Sequence, residues 1–413
     1  MKRKNLFLSL ALVSLALIIG FSACKKKTDT ITFAVSSITA GGVNINGATV
    51  PNNVPANTTS IVVGFTLAVN PLSATSDKIS LVRGYDTTAI PLTITVVGST
   101  ITLGIAEGLG NGSLYQLSFK AGISSTDGEV VGAFNRSFTT IGNFIPDGMI
   151  AYWTFENNAD DQVGSFNPAA GGIIDLSYAD SYKASQGKAG SFNGTTTLVE
   201  IPNGDQLDNT DSFTLSFWVK SDSSKHGQFV MGLAGWYGFQ FEISGDFKSC
   251  KLAAQYKFTG PPAGTGSEDL WFPADGNLGW QGWTFCRDLT SAGGLPFVIA
   301  SKWANIVCRY NAATKVGTMY INGQKEKEQD FNLWPAGDPK TTVTGLECDP
   351  TVTNKTFVFG FIQDKVDPKI TDSWADYNVT TNNHFKGLLD DVMFFHKALT
   401  EQEITLMYNS FKP

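Results

Sequence analysis

Between Ser212 and Lys220 the chain reads Ser-Phe-Thr-Leu-Ser-Phe-Trp-Val-Lys, with Phe213, Leu215, Phe217 and Val219 alternating with Thr214, Ser216, Trp218 and Lys220. Successive side chains of an extended strand point to opposite faces, so a period of two gives one apolar and one mixed face, the pattern of a half-buried antiparallel strand. The same period recurs at Ile306, Cys308 and Tyr310, with Arg309 on the other side. Helical spacing stands out at the C-terminus, where Thr400-Glu-Gln-Glu403 forms a capping box and Ile404, Met407, Tyr408 and Phe411 follow. A chain of 413 residues, 42% hydrophobic and 16% charged, against about 25% charged for an average domain, fills more than one core and is not disordered. The expectation is a β-rich protein of two domains with a short C-terminal helix.

The first domain, a small β-sandwich, lies in residues 30–141. Apolar runs at 61–69 (ended by Asn70-Pro71), 78–83, 92–97, 100–105, 114–121 and 136–140 are divided by turn clusters, about seven strands at hairpin spacing in all. Leu109-Gly-Asn-Gly-Ser-Leu114, followed by Tyr115, and the closing Arg136-Ser-Phe-Thr-Thr140 resemble the corner and last strand of bacterial Ig-like domains. That resemblance implies a spacer. Residues 142–147, with Pro146 and an Asp-Gly turn, read as a linker.

Beyond the linker the character changes, and all nine Trp residues lie there. Gly148-Met-Ile-Ala-Tyr-Trp-Thr-Phe-Glu156, Gly190-Ser-Phe-Asn-Gly194, the Ser212–Lys220 strand and Gly387-Leu-Leu-Asp-Asp-Val-Met-Phe-Phe-His-Lys-Ala-Leu399 together resemble the laminin-G-like, concanavalin A-type jelly roll. Residues 303–310 and 317–323, the latter ending in an Asn-Gly turn, fit the paired strands that follow in that family. The resemblance spans 148–413 and implies a second sandwich, making the chain all-β apart from the short C-terminal helix. Residues 257–301 depart from it as a long insertion holding Trp271, Trp280 and Trp283, too aromatic for disorder and longer than the roughly 12–15 residues of an ordinary loop.

The N-terminus is a targeting segment. Lys2, Arg3 and Lys4 precede an apolar run that starts at Leu6 and ends in Phe21-Ser22-Ala23 before Cys24. This resembles a bacterial lipoprotein signal over residues 1–23, which implies diacylation (palmitate) of Cys24, a tether at 24–29, and anchoring in a Gram-negative outer membrane, on its periplasmic or cell-surface face. Without the three basic residues of the signal the balance is 27 Lys plus Arg to 37 Asp plus Glu, so nucleic acid is excluded as a partner. With Cys24 lipidated, Cys250, Cys286, Cys308 and Cys348 remain in an oxidising compartment and allow three pairings, although Cys308 sits on an apolar strand face suited to a buried thiol. No CxxC spacing supports zinc.

Laminarinase-type glycosidases of this fold carry carboxylates at alternate positions of one strand, and no such strand occurs here. Glu242 and Asp246 are four residues apart, about 13 Å along a strand, beyond the roughly 5–9.5 Å of glycosidase carboxylate pairs. Asp390 and Asp391 are adjacent, so a regular strand turns them to opposite faces. His226, His384 and His396 fall in no catalytic signature. In related jelly rolls an acidic turn and the first Asp of the last strand lie near a structural calcium, which implies Asp160, Asp161 and Asp390 here. Sugar recognition needs flat apolar rings beside a few polar groups. The candidate rings are Trp271, Trp280 and Trp283 in the insertion, Trp236 and Tyr237 after a strand, and Trp374 with Tyr377 in a late loop. Trp153, Trp218 and Trp303 belong to the framework motifs. The function expected is capture of a polysaccharide or oligosaccharide by an envelope-anchored jelly roll. A protein partner in adhesion or assembly, and a glycoside hydrolase or polysaccharide lyase, are the alternatives.

Overall fold

The computed structural model describes residues 31–208, 211–273 and 282–413. Cys24 and the signal segment lie outside them. The chain divides into two compact units, one made of residues up to Leu109 with Ser113–Ile141 and the other of Gly110–Gly112 with Gly142–Pro413. No helix among the described residues is long and apolar enough to cross a membrane.

The first unit is a β-sandwich. Val35–Ala40, Ser60–Phe65, Thr100–Gly104 and Thr93–Val97 pair in one sheet, and Phe134–Thr139, Leu114–Phe119 and Ile79–Arg83 in the other. Every expected run contains a strand. Alternate residues such as Ile61, Val63 and Phe65 face Leu117, Phe119 and Phe138 in one buried cluster, which is the period-two rule at work.

The second unit is a larger sandwich of antiparallel strands. Sheet one, nine-stranded among the described residues, is centred on Phe213–Ser221, flanked by Lys386–Phe395 and Trp303–Asn311. It ends at Gln324–Asp330 and Trp283–Cys286. Sheet two runs from the short strand Ile173–Ile174 through Leu198–Ile201, Phe357–Phe359, Gln228–Leu233, Phe239–Ser244 and Ser249–Phe258 to the edge strand Gly264–Phe272. Phe213, Leu215, Phe217 and Val219 turn inward against Phe239, Phe241 and Ile243.

One expectation needs correction. The Ser212–Lys220 strand is covered on its second face as well: Trp218 is 3% exposed, stacked on Tyr182 at 4.2 Å and on Tyr408 at 5.9 Å. Tyr408 comes from the C-terminal helix Glu401–Phe411, whose capping box is formed by Glu403 N–H donating to Thr400 Oγ1 (3.1 Å) and Thr400 N–H to Glu403 Oε2 (2.8 Å). The insertion, in turn, is structured from both ends: residues 264–272 pair with 250–258 as a hairpin, and Leu289, Leu295 and Ile299 plug the sandwich core. Cys250, Cys308 and Cys348 are free thiols. Cys250 and Cys308 are buried in the core, and burial raises both; it pushes Cys348 up to about 11.

Candidate functional site

The outer face of sheet two is built by alternation. Phe239, Phe241 and Ile243 point into the core, so Gln240 and Glu242 point out; likewise Lys251 lies opposite Cys250 and Leu252, and Asp269 and Trp271 opposite Leu270 and Phe272. Register then sets Glu242 beside Lys251 and Lys251 beside Trp271, one strand after another. Lys251 Nζ lies 2.9 Å from Asp269 Oδ2 and 3.5 Å from Glu242 Oε1. Gln240 Nε2 donates to Glu242 Oε2 at 2.7 Å. Burial pushes the Glu242 carboxyl up from the ordinary range, with the Lys251 charge opposing. These groups form a continuous row of acceptors and one cation, half-exposed except for Gln240.

An aromatic platform borders this row. Ala234 and Gly235, both with positive φ, turn the chain after Gln228–Leu233 into the short helix Gly235–Tyr237. A Cβ on Gly235 would collide with Ile370, so glycine lets the turn sit under the late loop. Gln363 pins that loop: its Nε2 donates to the carbonyls of Ile370 (2.8 Å) and Ala375 (2.9 Å), and its Oε1 accepts from Ile370 N–H (2.9 Å). Asn382 Nδ2 ties down the carbonyls of Ser373 and Asp376, at 2.8 Å each. Trp374 is thereby set on Trp236, with ring centroids 5.6 Å apart and planes at 19°, and Trp236 on Tyr237 at 5.9 Å. Lys369 Nζ covers the Tyr237 ring at 4.9 Å. Trp236 and Tyr237 act as a half-buried buttress, and Trp374, 41% exposed, is the ring that faces outward.

The insertion rings divide. Trp271 is half-buried on the outer face, next to Lys251. Trp283 is only 7% exposed: it meets Trp271 edge-on at 6.3 Å and carries Lys327 Nζ over its ring at 3.8 Å, so it supports Trp271 instead of lining a groove. Trp280 lies outside the described residues. The Glu242, Lys251 and Asp269 constellation was missed by sequence reasoning, because Asp269 reaches Glu242 only across two strand pairings.

Two family models match the chain. Residues 29–140 match the bacterial Ig-like domain, and residues 193–364 match the concanavalin A-like lectin/glucanases superfamily. The C-terminal unit carries a concanavalin A-like domain. No curated protein matches the chain. Among solved structures it is similar to the receptor-binding domain of botulinum neurotoxin type G (13% identity, TM-score 0.39, 64% of this chain and 51% of that one). It is also similar to the ligand-binding domain of botulinum neurotoxin serotype D, solved in complex with N-acetylneuraminic acid (15%, 0.40, 64% and 51%). A third is domain 4 of an extracellular arabinanase from Geobacillus stearothermophilus, in complex with arabinotriose (20%, 0.37, 63% and 98%). The match spans about half the length of the toxin domains.

Two of the three expected calcium ligands, Asp161 and Asp390, spend their oxygens on other partners. Both Asp161 oxygens are committed to backbone N–H groups: Oδ1 to Tyr152 (2.8 Å) and Val163 (3.0 Å), Oδ2 to Gly164 (2.9 Å) and Phe166 (3.1 Å). Asp390 Oδ1 accepts from Asp391 N–H at 2.8 Å, and its Oδ2 from the Ser181 hydroxyl. Asp160 is exposed. Calcium needs about six to eight oxygens free to turn toward it, and among the described residues no group of three or more His, Cys, Asp or Glu is placed to hold a metal. Asp390 and Asp391 also depart from the expected opposite faces. Asp391 has φ of +45° within a bulge opposite Ser216 and Trp218, so Ser181 reaches Asp390 while Tyr182, the next residue, reaches Asp391. Tyr152 and Gln186 donate to Asp391 as well. Burial first, and then the neighbouring Asp391 carboxylate, raise Asp390 well above the ordinary carboxylate range.

Proposed function

We propose that the concanavalin A-like domain binds a polysaccharide or oligosaccharide on the outer face of sheet two. The observation that carries this reading is the Trp374 ring, exposed yet held rigid by Trp236, Gln363 and Asn382, beside the row of Gln240, Glu242, Lys251 and Asp269. An aromatic face takes the C–H side of a sugar ring, and fixed acceptors and an ammonium take its hydroxyls. Trp271 marks the far end of the row. Lys251 pairs with both Glu242 and Asp269 and holds the row in one place, as a face that captures a ligand requires.

On this reading the Ig-like sandwich is a spacer and Cys24 the lipidated anchor of an outer-membrane protein. Retention on insoluble polysaccharides, with soluble products assayed in parallel, tests the binding. Retention without release of reducing ends supports capture; release of reducing ends makes the domain a hydrolase, and failure with every glycan points to a protein partner. Replacing Cys24 by Ser should move the protein from the membrane fraction to the soluble one, and unchanged fractionation removes the anchor from the proposal.

A further inference from the structure

A cleft of about 440 Å³ opens on the other sheet, lined by Ser191, Lys220, Asp222, Ser301, Lys386 and Gly387 among others. Its volume lies in the usual range for small-ligand sites, about 300–1,000 Å³. The lining follows from sheet one's register. Ser191 and Lys220 both pair with Leu388 from opposite sides, and Ser221 pairs with Gly387. A Cβ on Gly387 would run into the Lys220 carbonyl, so glycine keeps these two strands close at the floor of the cleft. Ser301, with φ of +53°, donates its N–H to the Ser221 carbonyl at 2.8 Å and closes one side.

The charge of the lining runs against that of the protein, which is −7 overall. Two ammonium groups face one carboxylate. Lys386 Nζ is 3.2 Å from Asp222 Oδ2 and donates to Ser224 Oγ at 2.7 Å. Lys220, half-buried, has no ion-pair or hydrogen-bonding partner for its ammonium among the described residues. Lys225 adds a third positive charge behind Lys386: its ammonium is held by the carbonyls of Gly194 (2.7 Å) and Asn382 (2.6 Å) instead of a carboxylate, and burial followed by the Lys386 charge pushes it down.

We propose that this cleft is a second binding site, for an acidic sugar unit whose carboxylate or sulfate pairs with Lys220 and whose hydroxyls meet the serines. An unpaired ammonium in a concave, hydroxyl-lined site favours an oxyanion, and the local excess of positive charge on an acidic protein selects against neutral ligands. Asp222 competes with that oxyanion for Lys386. The lining of the cleft shares no residue with the Trp374 platform; Asn382, whose Nδ2 pins the Trp374 loop and whose carbonyl holds Lys225, lies behind both, so each site is tested by its own variant.

Calorimetric titration of the intact protein with galacturonate trimer, sulfated galactose trimer and neutral galactose trimer tests the assignment and separates the two anion sources. The expected result is binding of one or both anionic trimers, at least tenfold tighter than the neutral one and weakened by salt. Lys220→Gln should lose that preference and Lys220→Arg retain it, at unchanged melting temperature. Asp222→Asn should strengthen anion binding several-fold by freeing Lys386, while Trp374→Ala leaves it untouched. Equal binding of neutral and anionic trimers, no binding of any, or anion binding indifferent to Lys220→Gln would overturn the site.

Discussion

On sheet one, Trp218 is 3% exposed because Tyr182 and Tyr408 close over it at 4.2 and 5.9 Å. On sheet two, Trp374 keeps 41% of its surface although it too is stacked, at 5.6 Å on Trp236. The difference lies in what the chain supplies above each ring. Sheet one receives the C-terminal helix and the loop carrying Ser181 and Tyr182; on sheet two the described residues support Trp374 from below and leave 41% of it exposed. A ring covered on both sides is framework, and a ring rigidly supported on one side is a surface prepared for a ligand.

Removing each ring breaks the comparison most directly. Trp218→Ala leaves a cavity between two tyrosines and should cost about 3–5 kcal/mol of stability, as large-to-small core changes do. Denaturant unfolding measures it, and a loss under about 1 kcal/mol would show that the outer face of sheet one is no second core.

The strand framework was legible in the sequence because period-two alternation is local. The inward set Phe213, Leu215, Phe217 and Val219 and the Thr400–Glu403 capping box fall where the pattern puts them. The cover on Trp218 was not legible, since Tyr408 lies 190 residues away and nothing local distinguishes a ring that will be covered from one that will not. Trp271 and Trp283 carry the same signal in sequence. Their fates separate only when Lys327, on a strand 44 residues later, comes to rest on Trp283. Asp390 and Asp391 escaped because a bulge with positive φ breaks the alternation on which the opposite-face argument rests.

The support beneath Trp374 is itself pH-sensitive. His384 is fully buried against Phe361 (4.6 Å) and Tyr377 (5.0 Å), and burial, with the Lys225 charge second, pushes its pKa down to about 4. The unfolded chain, with an ordinary His near 6.5, binds the extra proton first. Stability is therefore full above about pH 6.5 and falls as pH drops toward 4, by at most about 3 kcal/mol. His384→Phe should flatten this part of the stability–pH profile. If the wild-type profile is already flat between pH 6.5 and 4, His384 does not hold the loop in its neutral form.

Trp374→Ala addresses the platform alone. Glycan binding should weaken at least tenfold, about 1.4 kcal/mol, while stability changes by less than about 1 kcal/mol, because an exposed ring leaves little cavity. Loss of stability without loss of binding would turn the platform into a satellite core and erase its contrast with Trp218.

The smallest effect expected is that of calcium, and it bears on both faces at once. A calcium site at Asp160, Asp161 and Asp390 would have to strip Asp161 of four backbone N–H donors and Asp390 of the Ser181 hydroxyl and the Asp391 N–H. Those bonds fix the turn after Trp153 and the loop over sheet one, so a bound ion would disrupt the cover it was meant to support. A ligand that binds only the native state at a hundred times its dissociation constant raises stability by about 2.7 kcal/mol, which a melting curve detects easily. Millimolar calcium against excess chelator should accordingly leave the melting temperature within about one degree. A clear rise with calcium, abolished by Asp160→Asn or Asp390→Asn, would mean that these carboxylates rearrange around an ion and that the cover on sheet one is built with its help.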